Sequence, residues 1–324
     1  MLAPMIAGRA TPEATHAYHA EHAARAVADH ARRFRELALS SVGIGTYLGP
    51  ADDPTDARYD AALARALARG INVIDTASTY RGGRSERVIG RVLAAGQVPR
   101  DRLVVSSKAG FLGSTARAIV EAGLAGEAEI VAGCHCLTPR FLRAQLAASR
   151  AQLQLSTIDI YYLHNPEMQL DEVDRSTFRD RMRAAFEVLE AAVDAGQIQW
   201  YGTATWTGYR EPGQLDLAEL VALAKDVAGE RHRFAFVQLP LNPRMTEAAT
   251  ATTQRGRTLL AAARDHGCYV MSSASILQGK LEPRAALAWT RAQPGLGTAL
   301  VGTSRVEHVD ANAAVFTSSR PAAP

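Results

Sequence analysis

Cysteine is scarce, with three residues in a chain of 324, and the number is odd. A disulfide framework is therefore not expected, and free thiols point to a reducing, cytoplasmic setting. Aromatic residues make up only 6% of the chain, and no basic run is interleaved with them. With a net charge of +3 spread along the sequence, neither nucleic acid nor a membrane surface is an expected partner. Long apolar runs are missing too, since no stretch approaches the roughly 20 residues of a membrane-spanning helix. The opening MLAPMIAGRATPEATHAYHAEHAARA lacks a charged segment followed by an adequate apolar core, so no signal peptide is expected. Also absent is a strand running into GxGxxG, the glycine fingerprint of an open dinucleotide-binding sheet. GIGTYLG, Gly43 to Gly49, spaces its glycines differently and reads as a turn.

What is present is core and alternation. Hydrophobic residues account for 47% and charged residues for 21%, enough for a substantial α/β core. Residues 12–35, rich in Ala, His and Arg, predict a leading helix with Pro12 in its first turn. Short β-rich runs then occupy residues 40–45, 72–75, 103–107, 158–163, 198–203, 234–239, 269–273 and 298–302. Segments of helical period such as SERVIGRVLAAG and RMRAAFEVLEAAVDAG separate them, and several end at a glycine (Gly70, Gly96, Gly196, Gly267). Eight such units imply right-handed crossovers and a closed ring of parallel strands. The expected architecture is a single-domain (β/α)8 TIM barrel over residues 36–324, behind an N-terminal helical extension over residues 1–35. That extension is a candidate plug for the barrel bottom or a contact for self-association; the oligomeric state is left open. Inserts at residues 111–137 and 207–213 follow the third and fifth strands and are candidate pocket walls. The tail TSSRPAAP is too short to be expected to roof a pocket.

In such a barrel the strand ends converge on one mouth, where polar residues tend to be functional. Asp75 ends the second strand and Tyr80 follows five residues on; Lys108 closes VVSSK and His164 closes IDIYYLH. A free tyrosine, with a pKa near ~10, donates protons poorly at neutral pH. An adjacent ammonium favours phenolate and is expected to lower that value, while a carboxylate keeps a buried lysine charged. His164 can orient a substrate oxygen. Together the four read as a general acid aimed at a carbonyl oxygen that accepts hydride, and hydride requires a cofactor. Each has a plainer use, as turn cap, loop packing, solvated lysine or turn histidine. Four suitable types at consecutive strand ends point to chemistry.

Across nearly the whole span from Leu39 to Phe316 the chain resembles the aldo-keto reductase superfamily. The resemblance rests on DTASTYRGGRSE, on SSK at Lys108, on IDIYYLHNPE around His164, on QLPLN at Gln238 and on VGTSRVEHVDAN near the end. It implies a barrel that uses NADPH and reduces a small-molecule aldehyde or ketone. Tyr80 would be the proton donor, Lys108 and Asp75 its tuning pair, and His164 the carbonyl-orienting group. For the cofactor it implies Thr46 and Asp75, Thr205 and Gln238 at the carboxamide, and the backbone of Ile276 and Gly279 at the pyrophosphate. Gly302, Thr303, Ser304 and Arg305 would serve the 2′-phosphate, which an arginine binds well, with His308 and Asn312 toward the adenine. The chain departs from the family where Ala204-Thr205 replaces Ser-Asn, Ser273 replaces a stacking tyrosine and Ala311 replaces a glutamate.

Other features read more plainly. Cys134-His135-Cys136 has no second cluster to complete a zinc site, so no metal is expected, and the loop serves packing or substrate contact. His16, His19 and His22 lie three apart on the leading helix and read as a solvated face. Tyr47 is expected as a substrate wall, with Thr46 near the cofactor ribose; Trp206 lines the pocket or packs in the core. Arg210, if it faces the mouth, would favour an acidic or polar substrate. Two other functional classes are consistent with the same residues: a cofactor-binding barrel with a regulatory or partner-binding role, and a non-redox dehydratase or isomerase.

Overall fold

The computed structural model describes residues 5–317. Helix α1 (Pro12–His22) begins at Thr11, whose side chain accepts from the Ala14 N–H, with Pro12 in the first turn. It stops at His22 rather than running to residue 35. After a 3-10 turn, Ala23–Arg25, the chain forms an antiparallel hairpin of β1 (Ala31–Phe34) and β2 (Leu37–Ser40). The expected division at residue 35 falls within the turn of that hairpin. The apolar side chains explain the change from helix to hairpin. Phe34, Leu37 and Leu39 enter a buried cluster with Val73, Val104, Ile160, Phe236, Tyr269 and Leu300 from the barrel strands. The hairpin, and not the helix, closes the lower end of the barrel.

The ring itself consists of β3 (Val42–Gly45), β4 (Val73–Asp75), β5 (Val104–Ala109), β6 (Ile158–His164), β7 (Ile198–Ala204), β8 (Phe234–Pro240), β9 (Tyr269–Ser273) and β10 (Leu296–Gly302). Neighbours pair in parallel and in chain order, and β10 pairs with β3 in the register Gly302↔Gly45, closing an eight-stranded barrel. Ser40, expected at the start of the first barrel strand, instead ends the hairpin. Helices α2 (Asp53–Ala68) and α3 (Arg84–Ala94) follow β3 and β4; α4 (Ala116–Glu121) and α5 (Pro139–Leu153) follow β5. Helix α6 (Arg175–Asp194) follows β6 and α7 (Leu217–Ala228) follows β7. Then come α8 (Glu247–Thr250) and α9 (Leu259–Asp265) after β8, α10 (Pro283–Arg291) after β9 and α11 (Val306–Ala313) after β10. The main core lies between ring and helices and a second cluster lies inside the ring, so the strands are apolar on both faces. The insert after β5 holds a small core of its own, with Ile119, Ala125, Ile130, Cys136 and Phe141.

The leading segment is fastened to the barrel rather than solvated. Val27 N donates to Phe316 O (2.8 Å), and the His30 ring stacks on Phe316 at 3.8 Å. His16 is exposed, but His19 is buried, with its pKa lowered to about 4 chiefly by that burial. His22 Nδ1 meets the Tyr18 carbonyl at 2.8 Å. The three histidines therefore do not share a solvated face. Among the described residues no group of three or more His, Cys, Asp or Glu is arranged to hold a metal ion, and no helix is long and apolar enough to cross a membrane. The tail beyond Thr317 lies outside the described residues.

Candidate active site

The ends of β4, β5 and β6 and the loop beyond β4 bring four side chains together. Lys108, 1% exposed, donates from Nζ to Asp75 Oδ2 (2.7 Å) and to the carbonyl of Thr76 (2.7 Å). Asp75 Oδ1 accepts from Ser106 Oγ (2.7 Å) and from Gln238 Nε2 (2.9 Å), so the carboxylate has three donors, two from β5 and one from β8. The ammonium lies 5.0 Å from the centre of the Tyr80 ring. The Tyr80 and His164 rings meet edge to face at 6.0 Å, and Tyr47 packs against Tyr80 at 5.0 Å.

The electrostatics follow from burial and from this pairing. Burial is the largest influence on Lys108 and acts downward, but Asp75 and Tyr80 outweigh it and hold the ammonium above its ordinary pKa. For Tyr80 the expected lowering does not prevail. Burial pushes the phenol up more strongly than Lys108 pulls it down, and Asp75 adds to the rise. The hydroxyl therefore keeps its proton at neutral pH, while the lysine lowers the cost of losing it. Burial, Lys108 and His135 hold His164 well below its ordinary value, so the imidazole is neutral.

These groups open into a cavity of about 470 Å³ at the mouth of the barrel. Asp75, Tyr80 and His164 line it, with Lys108 just beneath. Of the other expected residues, Thr46, Tyr47, Thr205, Trp206, Gln238, Ile276 and Gly302 also line it, as do Ala204 and Ser273. Gly45 and Gly302 face each other in the ladder and carry no side chains, so backbone forms that part of the wall. Gly279, Thr303, Ser304, Arg305, His308 and Asn312 do not line the cavity. Gly279 sits in the turn after β9 with φ +82°, and Thr303, Ser304 and Arg305 lead into α11. Arg305 and His308 are exposed, whereas Asn312 is buried on α11. From the insert after β5, Phe111 is a wall residue and its ring meets His164 at 4.9 Å. Residues 207–213 stand behind Trp206 and do not reach the cavity. Arg210 pairs with Glu247 (2.6 Å) instead of presenting a free charge to the mouth.

Several contributing residues have roles that sequence reading missed. His135 belongs neither to a metal site nor to a substrate wall. Its Nε2 donates to the backbone carbonyl of His164 (2.7 Å), its Nδ1 accepts from Gln169 (2.8 Å), and Arg181 donates to Gln169 Oε1 (2.5 Å). Gly110 makes room for this ring, because a Cβ there would lie 2.7 Å from His135 Nε2. Behind β5, the buried Glu86 accepts from Ser107 (2.6 Å), and burial raises its pKa. Asn165 takes a left-handed φ of 49° and also lines the cavity. An acid three residues past His164 is visible in HNPE, but what Glu167 reaches is not.

The chain is similar to known proteins over most of its length. The pattern of the Aldo/keto reductase family matches residues 41–285. The NADH-specific methylglyoxal reductase of Escherichia coli (strain K12) is 33% identical over 135 residues; the match covers 40% of this chain and only 39% of that protein. An aldo/keto reductase from Klebsiella pneumoniae, solved in complex with NADP and acetate, superposes with a TM-score of 0.62 at 23% identity, over 89% of this chain and 90% of that one. The glycerol dehydrogenase of Gluconobacter oxydans superposes with a TM-score of 0.66 at 20% identity, over 91% and 92%. Those two likenesses speak for the fold.

Proposed function

This chain belongs to the aldo/keto reductase family, and from that premise we propose that it reduces an aldehyde or ketone to the alcohol with NADPH, Tyr80 supplying the proton. The observation that carries the reading is the buried Asp75–Lys108 pair set beneath Tyr80, with His164 across the same cavity. A carbonyl oxygen placed between Tyr80 and His164 receives the phenolic hydrogen on one side and an imidazole N–H on the other. As negative charge grows on that oxygen, the Tyr80 proton moves to it, and the Lys108 ammonium stabilises the phenolate left behind. Asp75 keeps the ammonium in place. Neutral His164 orients the oxygen without competing as an acid.

NADPH, when bound, supplies the hydride. The residues present fit it. Thr205 and Gln238 offer polar groups on one part of the cavity wall, and the bare backbone at Gly45 and Gly302 forms another part of it. Ala204 and Ser273 lack one hydrogen bond and one stacking ring that relatives provide, a loss of about 1–2 kcal/mol in binding. At the other end, Thr303, Ser304 and Arg305 stand at the start of α11, and Arg305 is exposed with no ion pair among the described residues. An arginine free to meet a dianion favours NADPH. The Escherichia coli relative is named NADH-specific, so both nucleotides belong in the test.

Fluorescence titration with NADPH and with NADH, followed by turnover on a panel of aldehydes and ketones, tests the reading. Saturable NADPH binding and NADPH-dependent reduction are expected. Binding of neither nucleotide would overturn the proposal. Turnover without nucleotide would favour non-redox use of the same residues, and tight binding without turnover a regulatory role.

A further inference from the structure

The loop after β7 carries Trp206 to the mouth of the cavity, yet a residue from another strand end holds its backbone. Glu167 lies three residues beyond His164, in the 3-10 segment Pro166–Asp171. Its Oε1 accepts from three consecutive N–H groups: Trp206 (2.7 Å), Thr207 (3.1 Å) and Gly208 (3.2 Å). Successive N–H groups turned toward one point form an anion seat, and here the protein fills the seat with its own carboxylate. Glu167 is 5% exposed, and its Oε2 has no partner among the described residues. All the bonding of the buried group is thus directed at this one loop. Gly208 permits the close approach, since a Cβ there would lie 3.2 Å from Glu167 Cδ and 2.8 Å from Leu215 Cδ1.

The loop is clamped from the other side as well. Arg210 donates to the Trp206 carbonyl (3.2 Å) and pairs with Glu247, which follows β8. The backbone of Trp206 is therefore fixed between two neighbouring loops, while its indole is 47% exposed and lines the cavity. A large aromatic face, open to solvent on an anchored backbone, is a preorganised platform.

We propose that Glu167 is a positioning residue for substrate selection: by tying the Trp206 loop to the chain that leaves His164, it sets the width of the slot between the two. A carbonyl compound whose oxygen meets His164 and Tyr80 then rests a planar or bulky apolar group against Trp206. A small aldehyde uses the same acid without reaching the platform. This assignment rests on reading the pocket as a carbonyl-reducing site.

Two measurements test it, and the first needs no turnover. Hydrogen exchange is followed over residues 205–209 in the parent, Glu167→Ala, Glu167→Gln and, as a control, Tyr80→Phe. Exchange is expected to quicken by about tenfold or more in Glu167→Ala, as loss of charge-assisted bonds to three amides requires, and by less in Glu167→Gln, which keeps one acceptor oxygen. Tyr80→Phe should leave it as in the parent. In the second measurement, kcat/KM for benzaldehyde is expected to fall about tenfold in Glu167→Ala, mainly through KM, against at most about threefold for propanal. Trp206→Ala should show the same split, and the double variant should be no worse than Trp206→Ala alone. Unchanged exchange, equal losses on both aldehydes, or full additivity with Trp206→Ala would each overturn the proposal. A parent inert toward both aldehydes would overturn the reductase reading, and the selection role with it; faster exchange in Glu167→Ala would still show the clamp.

Discussion

The two ends of the barrel use aromatic residues in opposite ways. At the lower end Phe34 is buried against Phe236 (4.5 Å), Trp200 (5.4 Å) and Tyr269 (5.6 Å). Two guanidinium groups, of Arg35 and Arg233, lie over Trp200 at 4.2 and 4.7 Å. At the upper end Tyr47 is 56% exposed, and the rings surround charged and polar groups. One end is packed like a core, and the other is held open by directed hydrogen bonds. The contrast shows how a barrel can carry a buried Asp–Lys pair, which costs desolvation energy, at its open mouth: the apolar cores around the ring and at the far end offset that cost.

The sharpest break of this comparison is at the upper end. Lys108→Met leaves the Asp75 carboxylate buried with only Ser106 and Gln238 as partners and removes the cation beneath Tyr80. Steady-state kinetics should show kcat/KM down by about 10²–10⁴-fold, and urea unfolding a loss of about 3–5 kcal/mol. Activity within tenfold of the parent would mean that the charge under the phenol plays no part. Next in size, Phe34→Ala should cost about 3–5 kcal/mol in the same unfolding experiment, with NADPH affinity retained within about twofold. A parallel loss of nucleotide binding would show that the two ends are coupled.

Acid sharpens the comparison further. Histidine ordinarily titrates at 6.5, and burial lowers His19 to about 4 and His30 to about 3. Below pH 6.5 the unfolded chain therefore binds more protons than the folded one, so stability is fully present above that pH and falls as pH drops toward 4. For His19 the loss between about pH 7 and about pH 5 is about 2 kcal/mol. His19→Leu should lack that portion, and the difference between the two proteins separates the histidine from carboxyls titrating nearby. The smallest effect concerns His135. His135→Leu leaves the His164 carbonyl and Gln169 without their partner, and kcat/KM should fall about tenfold, or 1–2 kcal/mol, with NADPH affinity retained.

The same contrast explains what was legible in the sequence. Barrel strands show as short apolar runs because ring and helices bury both faces, and Asp75, Lys108 and His164 show because each ends such a run. The helix expected over residues 12–35 ends early because ARRF, though it follows an Ala-rich helix, starts a hairpin, and only the barrel interior tells Phe34 to leave the helical register. The upward shift of Tyr80 could not be read, since it depends on burial in three dimensions. Glu167 and His135 escaped for another reason. Their partners lie 29 to 41 residues away across neighbouring loops, and no local pattern encodes which amide or carbonyl they reach.

The claim that Tyr80 is the acid is tested most directly by single-turnover reduction of an aldehyde by Tyr80→Phe at saturating NADPH. The rate should fall by about 10²-fold or more, with nucleotide affinity and unfolding midpoint close to those of the parent. A Phe variant that reduces the aldehyde as fast as the parent would contradict the claim.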